Sequence, residues 1–170
     1  MTKEERKFKK EVQSAAHRFI ESAKDDLDAL KHAQECDGTR NGKPCKKGSE
    51  VRTYKGKDGT SFKMNVHDNP DAWHDEDRAR QVIEESPLSI EVRSDWHSVG
   101  SSEDTPAEYR ILLGTGGPAS QIVGELDEYC QPVTAQFQYQ DWFKPWTDAD
   151  TTYEEDEIMV RWVSHFYFGD

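Results

Sequence analysis

The stretch from Glu108 to Tyr139, EYRILLGTGGPASQIVGELDEYCQPVTAQFQY, constrains the fold more than any other. Near its end, Val133, Ala135, Phe137 and Tyr139 alternate with Thr134, Gln136, Gln138 and Gln140. That period of two puts one face on a core and the other in water. Before it come two further apolar segments, Tyr109–Leu113 and Ile122–Leu126, separated by the turn residues Gly114, Gly116, Gly117 and Pro118. A parallel return needs a crossover of about a dozen residues, so these short links predict antiparallel pairing. The expected unit is a three-stranded meander over 108–140, with its Val133/Phe137/Tyr139 face inward. A phosphate cradle would need the glycines of GTGGP to open a helix, or to carry G-K-[ST]. A strand-like run follows instead, and the loop reads as a plain hairpin turn.

The flanking segments complete an α+β pattern. Glu4–Cys36 carries Phe8, Val12, Ala15, Ala16, Phe19, Ala23, Leu27 and Leu30 at steps of three and four, with neither Gly nor Pro, and predicts a long amphipathic helix. Its thin stripe requires a partner, either its own domain or a second copy in a homodimer. Asp58-Gly59 between two β-like runs predicts a hairpin over Val51–Val66. A short helix is expected at Glu76–Glu85, a strand over Leu88–Trp96, and a helix at Tyr153–Tyr167 capped by Thr151 or Thr152. The expected fold is an antiparallel sheet of four or more strands packed with a long N-terminal and a C-terminal helix. Residues 1–50, the helix and a Cys-flanked basic loop, are expected to be separable from an acidic α+β domain over 51–170.

Charge is divided along the chain. Residues 1–64 hold 16 Lys+Arg and 11 Asp+Glu, whereas residues 65–170 hold 6 and 23. Such asymmetry speaks of partners more than of fold. The net charge of −12 opposes direct nucleic-acid binding, despite a basic patch at Arg40, Lys43–Lys47, Arg52, Lys55 and Lys57. No apolar run is long enough to span a membrane. MTKEERKFKKE has no apolar signal-peptide core, so a cytoplasmic location is expected.

Three cysteines, Cys36, Cys45 and Cys130, argue against a disulfide scaffold. His32, Cys36 and Cys45 have the chemistry of zinc ligands, with His67 and His74 as further donors. The C-x₈-C spacing has no second pair, however, and favours two thiols flanking a loop, with no cofactor and no metal.

From Ser86 onward the chain resembles a family of small, functionally uncharacterised proteins from bacteriophages, prophages and other mobile elements. SPLSIEVRSDWH (Ser86–His97), EYRILLGTGGPA (Glu108–Ala119), IVGELDE (Ile122–Glu128), YQDWFKPWT (Tyr139–Thr147) and HFYFGD (His165–Asp170) carry the likeness, which covers roughly half the chain. The resemblance implies a mobile-element origin and a bacterial host cytoplasm, and supplies no catalytic residues.

Resemblance and charge together give the expected function. It is a phage-encoded inhibitor of a bacterial defence system, of the anti-CRISPR or anti-restriction type. Its acidic surface would occupy the basic groove of a CRISPR effector or restriction nuclease, as a DNA mimic. The expected contact groups are Asp75, Glu76, Asp77, Glu84 and Glu85 on the short helix, and Asp148, Asp150, Glu154, Glu155, Asp156 and Glu157 near the last one. These same acids also suit a solvated helix face and the dipole of a helix start. Trp142, Phe143 and Trp146 read either as interface anchors or as a lid on the core. The alternative function is a small hydrolase-like or ligand-binding enzyme with a His/carboxylate pocket near His97. Asp95, Glu108, Asp141, His165 and Cys130 are its other raw materials.

Overall fold

The computed structural model describes residues 2–36, 39–40, 43–55, 60–67, 69–96, 98 and 105–169. The chain is α+β, as its patterning requires. It forms two compact units, Met1–Ala23 with Glu84–Asp170, and Lys24–Ile83. The division runs through the long helix α1 (Lys3–Glu35), which contributes its first part to one unit and its last turns to the other.

The first unit is built on a five-stranded antiparallel sheet. Its strands are β5 (Ser89–Ser94), β6 (Pro106–Gly114), β7 (Ala119–Glu125), β8 (Gln136–Gln140) and β9 (Thr147–Asp148), paired in that order. The register aligns Ile90, Ile111, Ile122 and Phe137 across four strands. Ile111, Ile122 and Phe137 are buried, and the start of α1 covers this face with Val12, Ala16 and Ile20. Phe19 stacks on Phe137 at 5.7 Å and meets Trp162 edge-on at 5.2 Å. Trp162 belongs to α3 (Tyr153–Val163), whose Met159, Trp162 and Val163 are all buried. Thr152 and Glu155 form a capping box at the start of α3, satisfying two otherwise unpartnered backbone donors.

The structure corrects several sequence expectations here. Val133 was expected on the core face, yet it is 57 % exposed. The backbone around it is occupied by local bonds: Leu126 bridges Pro132, and Thr134 Oγ1 accepts from the Glu125 N–H. The chain therefore joins the ladder at Gln136, leaving Phe137 and Tyr139 inward. The strand expected over Leu88–Trp96 is shorter, and as a sheet edge it leaves Leu88, Ile90 and Val92 exposed. The two-residue β9 has no periodicity that a sequence could show. The last helix ends at Val163, not Tyr167.

The second unit holds the end of α1 and two hairpins, β1 (Thr39–Arg40) with β2 (Lys43–Pro44) and β3 (Val51–Lys55) with β4 (Ser61–Asn65). A 3₁₀ turn, Pro70–His74, and α2 (Glu76–Glu84) follow. The expected Asp58-Gly59 turn lies outside the described residues, but the flanking strands pair as expected. Among the described residues, Leu27, Leu30, Trp73 and Ile83 are its large buried side chains, joined by Ala29, Ala72 and Ala79. Trp73 presses on Gly48, whose φ of 81° suits glycine. A Cβ there would lie 2.5 Å from the indole Cγ.

Candidate functional site

His32 lies in the last turn of α1, and Cys36 follows directly after the helix ends at Glu35. The β1–β2 hairpin then reverses the chain and delivers Cys45 immediately after β2. His74 arrives as the last residue of the 3₁₀ turn. The ligating atoms of His32, Cys36, Cys45 and His74 all lie within 4.8 Å of one another, and all four residues are half-buried. Cys45 Sγ is 3.5 Å from His32 Nε2, and the His32 and His74 rings meet edge-on at 5.3 Å.

The His74 ring is fixed by its backbone contact. Its Nε2 lies 2.9 Å from the carbonyl oxygen of Lys47. A carbonyl only accepts, so Nε2 carries the proton and Nδ1 keeps its lone pair. That Nδ1 is buried and has no hydrogen-bond partner among the described residues. Sequence spacing brought His32, Cys36 and Cys45 together as ligand types, but favoured two thiols flanking a loop. The fourth member sits on a separate element, and its approach depends on tertiary packing that no local spacing encodes.

His67, the other donor considered, is engaged elsewhere. It lies between Asp25, at 2.6 Å from Nδ1, and Glu50, at 3.0 Å from Nε2, with its ring 4.5 Å from Trp73.

The acidic contact groups fall in two separate units. Asp75 precedes α2 and caps it, accepting from the Arg78 N–H. Glu76 accepts from Arg80 and Gln34, and these contacts hold its carboxyl below the usual range, Arg80's hydrogen bond most of all. Asp77 follows on α2, and Glu84 and Glu85 at the end of that helix already belong to the sheet unit, all three exposed. In the sheet unit, Asp150 pairs with Lys9 at 2.6 Å. Asp148 accepts from Gln138, Asp156 from Thr151 and Glu157 from Tyr153, while Glu155 serves the capping box. None of Asp148, Glu154, Glu155, Asp156 and Glu157 is paired with a Lys or Arg among the described residues.

Within YQDWFKPWT the three aromatic residues differ in exposure. Trp142 is 64 % exposed, Phe143 is fully exposed and Trp146 is half-buried. Trp142 lies against Gly117 of the β6–β7 turn, where an added Cβ would collide with the indole. Phe143 has a φ of 63°, in a region that bulky side chains rarely occupy.

His97, the centre of the enzymatic alternative, lies outside the described residues. A concavity of about 740 Å³ spans the face of β5–β8 and includes Glu91, Arg93, Glu108, Arg110, Gln121 and Gln138. Four of its charged side chains pair off, Arg93 with Glu108 and Arg110 with Glu91, and Glu125 adds a further carboxylate to the lining. Buried Gln121 donates to Gln138 at 2.7 Å. Glu108 is thus committed to an arginine. No helix among the described residues is long and apolar enough to cross a membrane. No family model matches this chain, and neither the curated proteins nor the solved structures hold a match.

Proposed function

We propose that this chain is a protein-binding inhibitor, encoded by a phage or related element, which acts against a bacterial defence system of the anti-CRISPR or anti-restriction type. Its partner is a nucleic-acid-handling protein with a basic groove. The observation that carries this reading is the surface around the β8–β9 turn and the start of α3. There Trp142 and Phe143 stand exposed, with ring centroids 6.3 Å apart. The chain that follows them presents Asp148, Glu154, Glu155, Asp156 and Glu157 without a Lys or Arg partner among the described residues.

Residues 84–170 hold 18 Asp+Glu against 4 Lys+Arg. A surface of that sign repels nucleic acid and raises the encounter rate with a basic protein by about 10- to 1,000-fold at low salt. Exposed aromatic side chains next to such a field supply the anchors that long-range charge cannot. The mobile-element resemblance from Ser86 onward supplies the setting, and the defence target is its consequence.

The test is a plating assay. Phage are titred on bacteria carrying a CRISPR or a restriction system, with and without this protein. Restored plating in one system is the expected result, and lysine substitution of Glu154, Glu155, Asp156 and Glu157 is expected to abolish it. Unchanged plating in every system, or full protection by the four-lysine variant, would overturn the reading. A tagged pull-down at low and high salt then identifies the partner. Elution by salt supports the acidic competitor, and a salt-resistant complex transfers the weight to Trp142 and Phe143.

A further inference from the structure

We propose that His32, Cys36, Cys45 and His74 bind one zinc ion as a closed structural site. This stands independently of any partner. Zinc bonds of about 2.3 Å to sulfur and about 2.0 Å to nitrogen, at the tetrahedral angle, separate the two ligand atoms by about 3.5 Å. The Cys45 Sγ to His32 Nε2 distance is 3.5 Å. A thiol–imidazole hydrogen bond alone would account for that pair. It would not draw Cys36 and His74 into the same 4.8 Å cluster, nor leave the buried Nδ1 of His74 with a lone pair and no donor among the described residues.

The Lys47 carbonyl completes the argument. Metal-bound histidines commonly donate their second ring N–H to a carbonyl or carboxylate, which fixes the tautomer and the ring. His74 does so through Nε2, leaving Nδ1 for the metal.

Two thiolates and two imidazoles select zinc among divalent ions of tetrahedral preference. Binding converts both thiols to thiolates and releases two protons, and the two negative charges offset the ion's own. The resulting neutral complex suits a half-buried site. A two-iron cluster would place the cysteines and histidines on different irons, which the close approach of Cys45 to His32 opposes. With all four positions filled by protein, no position is left for a reacting water, so the ion supports structure. It ties the end of α1, the chain after β2 and the 3₁₀ turn into one knot. Such a staple suits this unit, because among the described residues three of the seven buried apolar ones are alanines. Small units with thin cores are commonly held by metals or disulfides.

The experiment begins with protein purified from zinc-containing medium and dialysed to remove loosely held ions. Elemental analysis and native mass spectrometry are expected to give one zinc per chain. X-ray absorption is expected to show two sulfur and two nitrogen ligands. Cobalt added to zinc-free protein is expected to give the visible bands of a tetrahedral thiolate site. Cys45→Ser and His74→Ala are each expected to weaken zinc binding by at least about tenfold, whereas Cys130→Ser and His67→Gln keep the full complement. Wild-type protein with neither zinc nor cobalt bands would overturn the proposal. So would a sulfur count other than two, or zinc retained in full by Cys45→Ser or His74→Ala. The absorption measurement uses wild-type protein, so the proposal stays testable even if a ligand variant fails to fold.

Discussion

The Tyr109 hydroxyl donates a 2.6 Å hydrogen bond to the carbonyl oxygen of Thr134, reaching it across Gly124, the residue that pairs with Tyr109 in the sheet. The ring fits because Gly124 has no side chain: a Cβ there would lie 2.5 Å from the Tyr109 oxygen and would also collide with the Thr134 carbonyl. Phe168 closes the other side of the ring at 4.9 Å. Burial pushes the phenol well above its ordinary pKa, so it remains a donor at neutral pH. Gly124→Ala is expected to destabilise the sheet unit by about 1–3 kcal/mol through overpacking. Tyr109→Phe is expected to cost about 1 kcal/mol. Because both changes disturb one contact, their effects should not add. Urea unfolding of both single variants and the double variant measures this, and strict additivity would contradict the shared contact.

Glu50 gives the second unit a pH dependence. Burial raises its carboxyl, but a backbone hydrogen bond and His67 outweigh this, with a smaller contribution from Lys47, and the net shift is downward. A carboxyl lowered by folding stabilises the fold above its unfolded pKa, and that contribution is lost as pH falls through the folded value. Wild type is therefore expected to exceed Glu50→Gln in stability at neutral pH and to lose the advantage below about pH 4. The difference should stay under about 1 kcal/mol, because Glu50 is 45 % exposed and solvent screens the pair. Unfolding curves at several pH values for both proteins check the sign. A gap that widens in acid would refute it.

The parts of this fold legible in the sequence are those written in local period. Val12, Ala16 and Ala23 recur at helical spacing, and Phe137 and Tyr139 at strand spacing, and each of these sets is buried, although Ile20, also buried, lay outside the stripe read from the sequence. What local period could not show depends on long-range neighbours. Val133 continues the alternation of Ala135 and Phe137, yet a bridged turn holds it outside the ladder. Leu88, Ile90 and Val92 alternate well, but no pattern within one strand reveals that it forms an edge. The cysteine–histidine cluster was half legible. Its first pair, His32 and Cys36, is close in sequence at the end of α1, whereas Cys45 and His74 reach it through a hairpin and a 3₁₀ turn. The aromatic segment after β8 was visible as a composition, and only the structure separates exposed Trp142 and Phe143 from half-buried Trp146.

Phe143 separates a role in folding from a role in binding. Its ring is fully exposed and its φ is 63°, a conformation that costs a non-glycine residue about 1–2 kcal/mol. A side chain that contributes so little burial does not repay that strain within the fold. Phe143→Gly relieves the strain and loses part of the gain to the greater freedom of the unfolded chain. The variant is therefore expected to match wild type or exceed it by up to about 1 kcal/mol in urea unfolding. In the plating assay the same variant is expected to lose protection, since removing a binding anchor typically costs at least about 2 kcal/mol of affinity. Equal or greater stability with lost protection is the signature of strain kept for a partner. A less stable variant that still protects the phage would assign Phe143 to the fold instead.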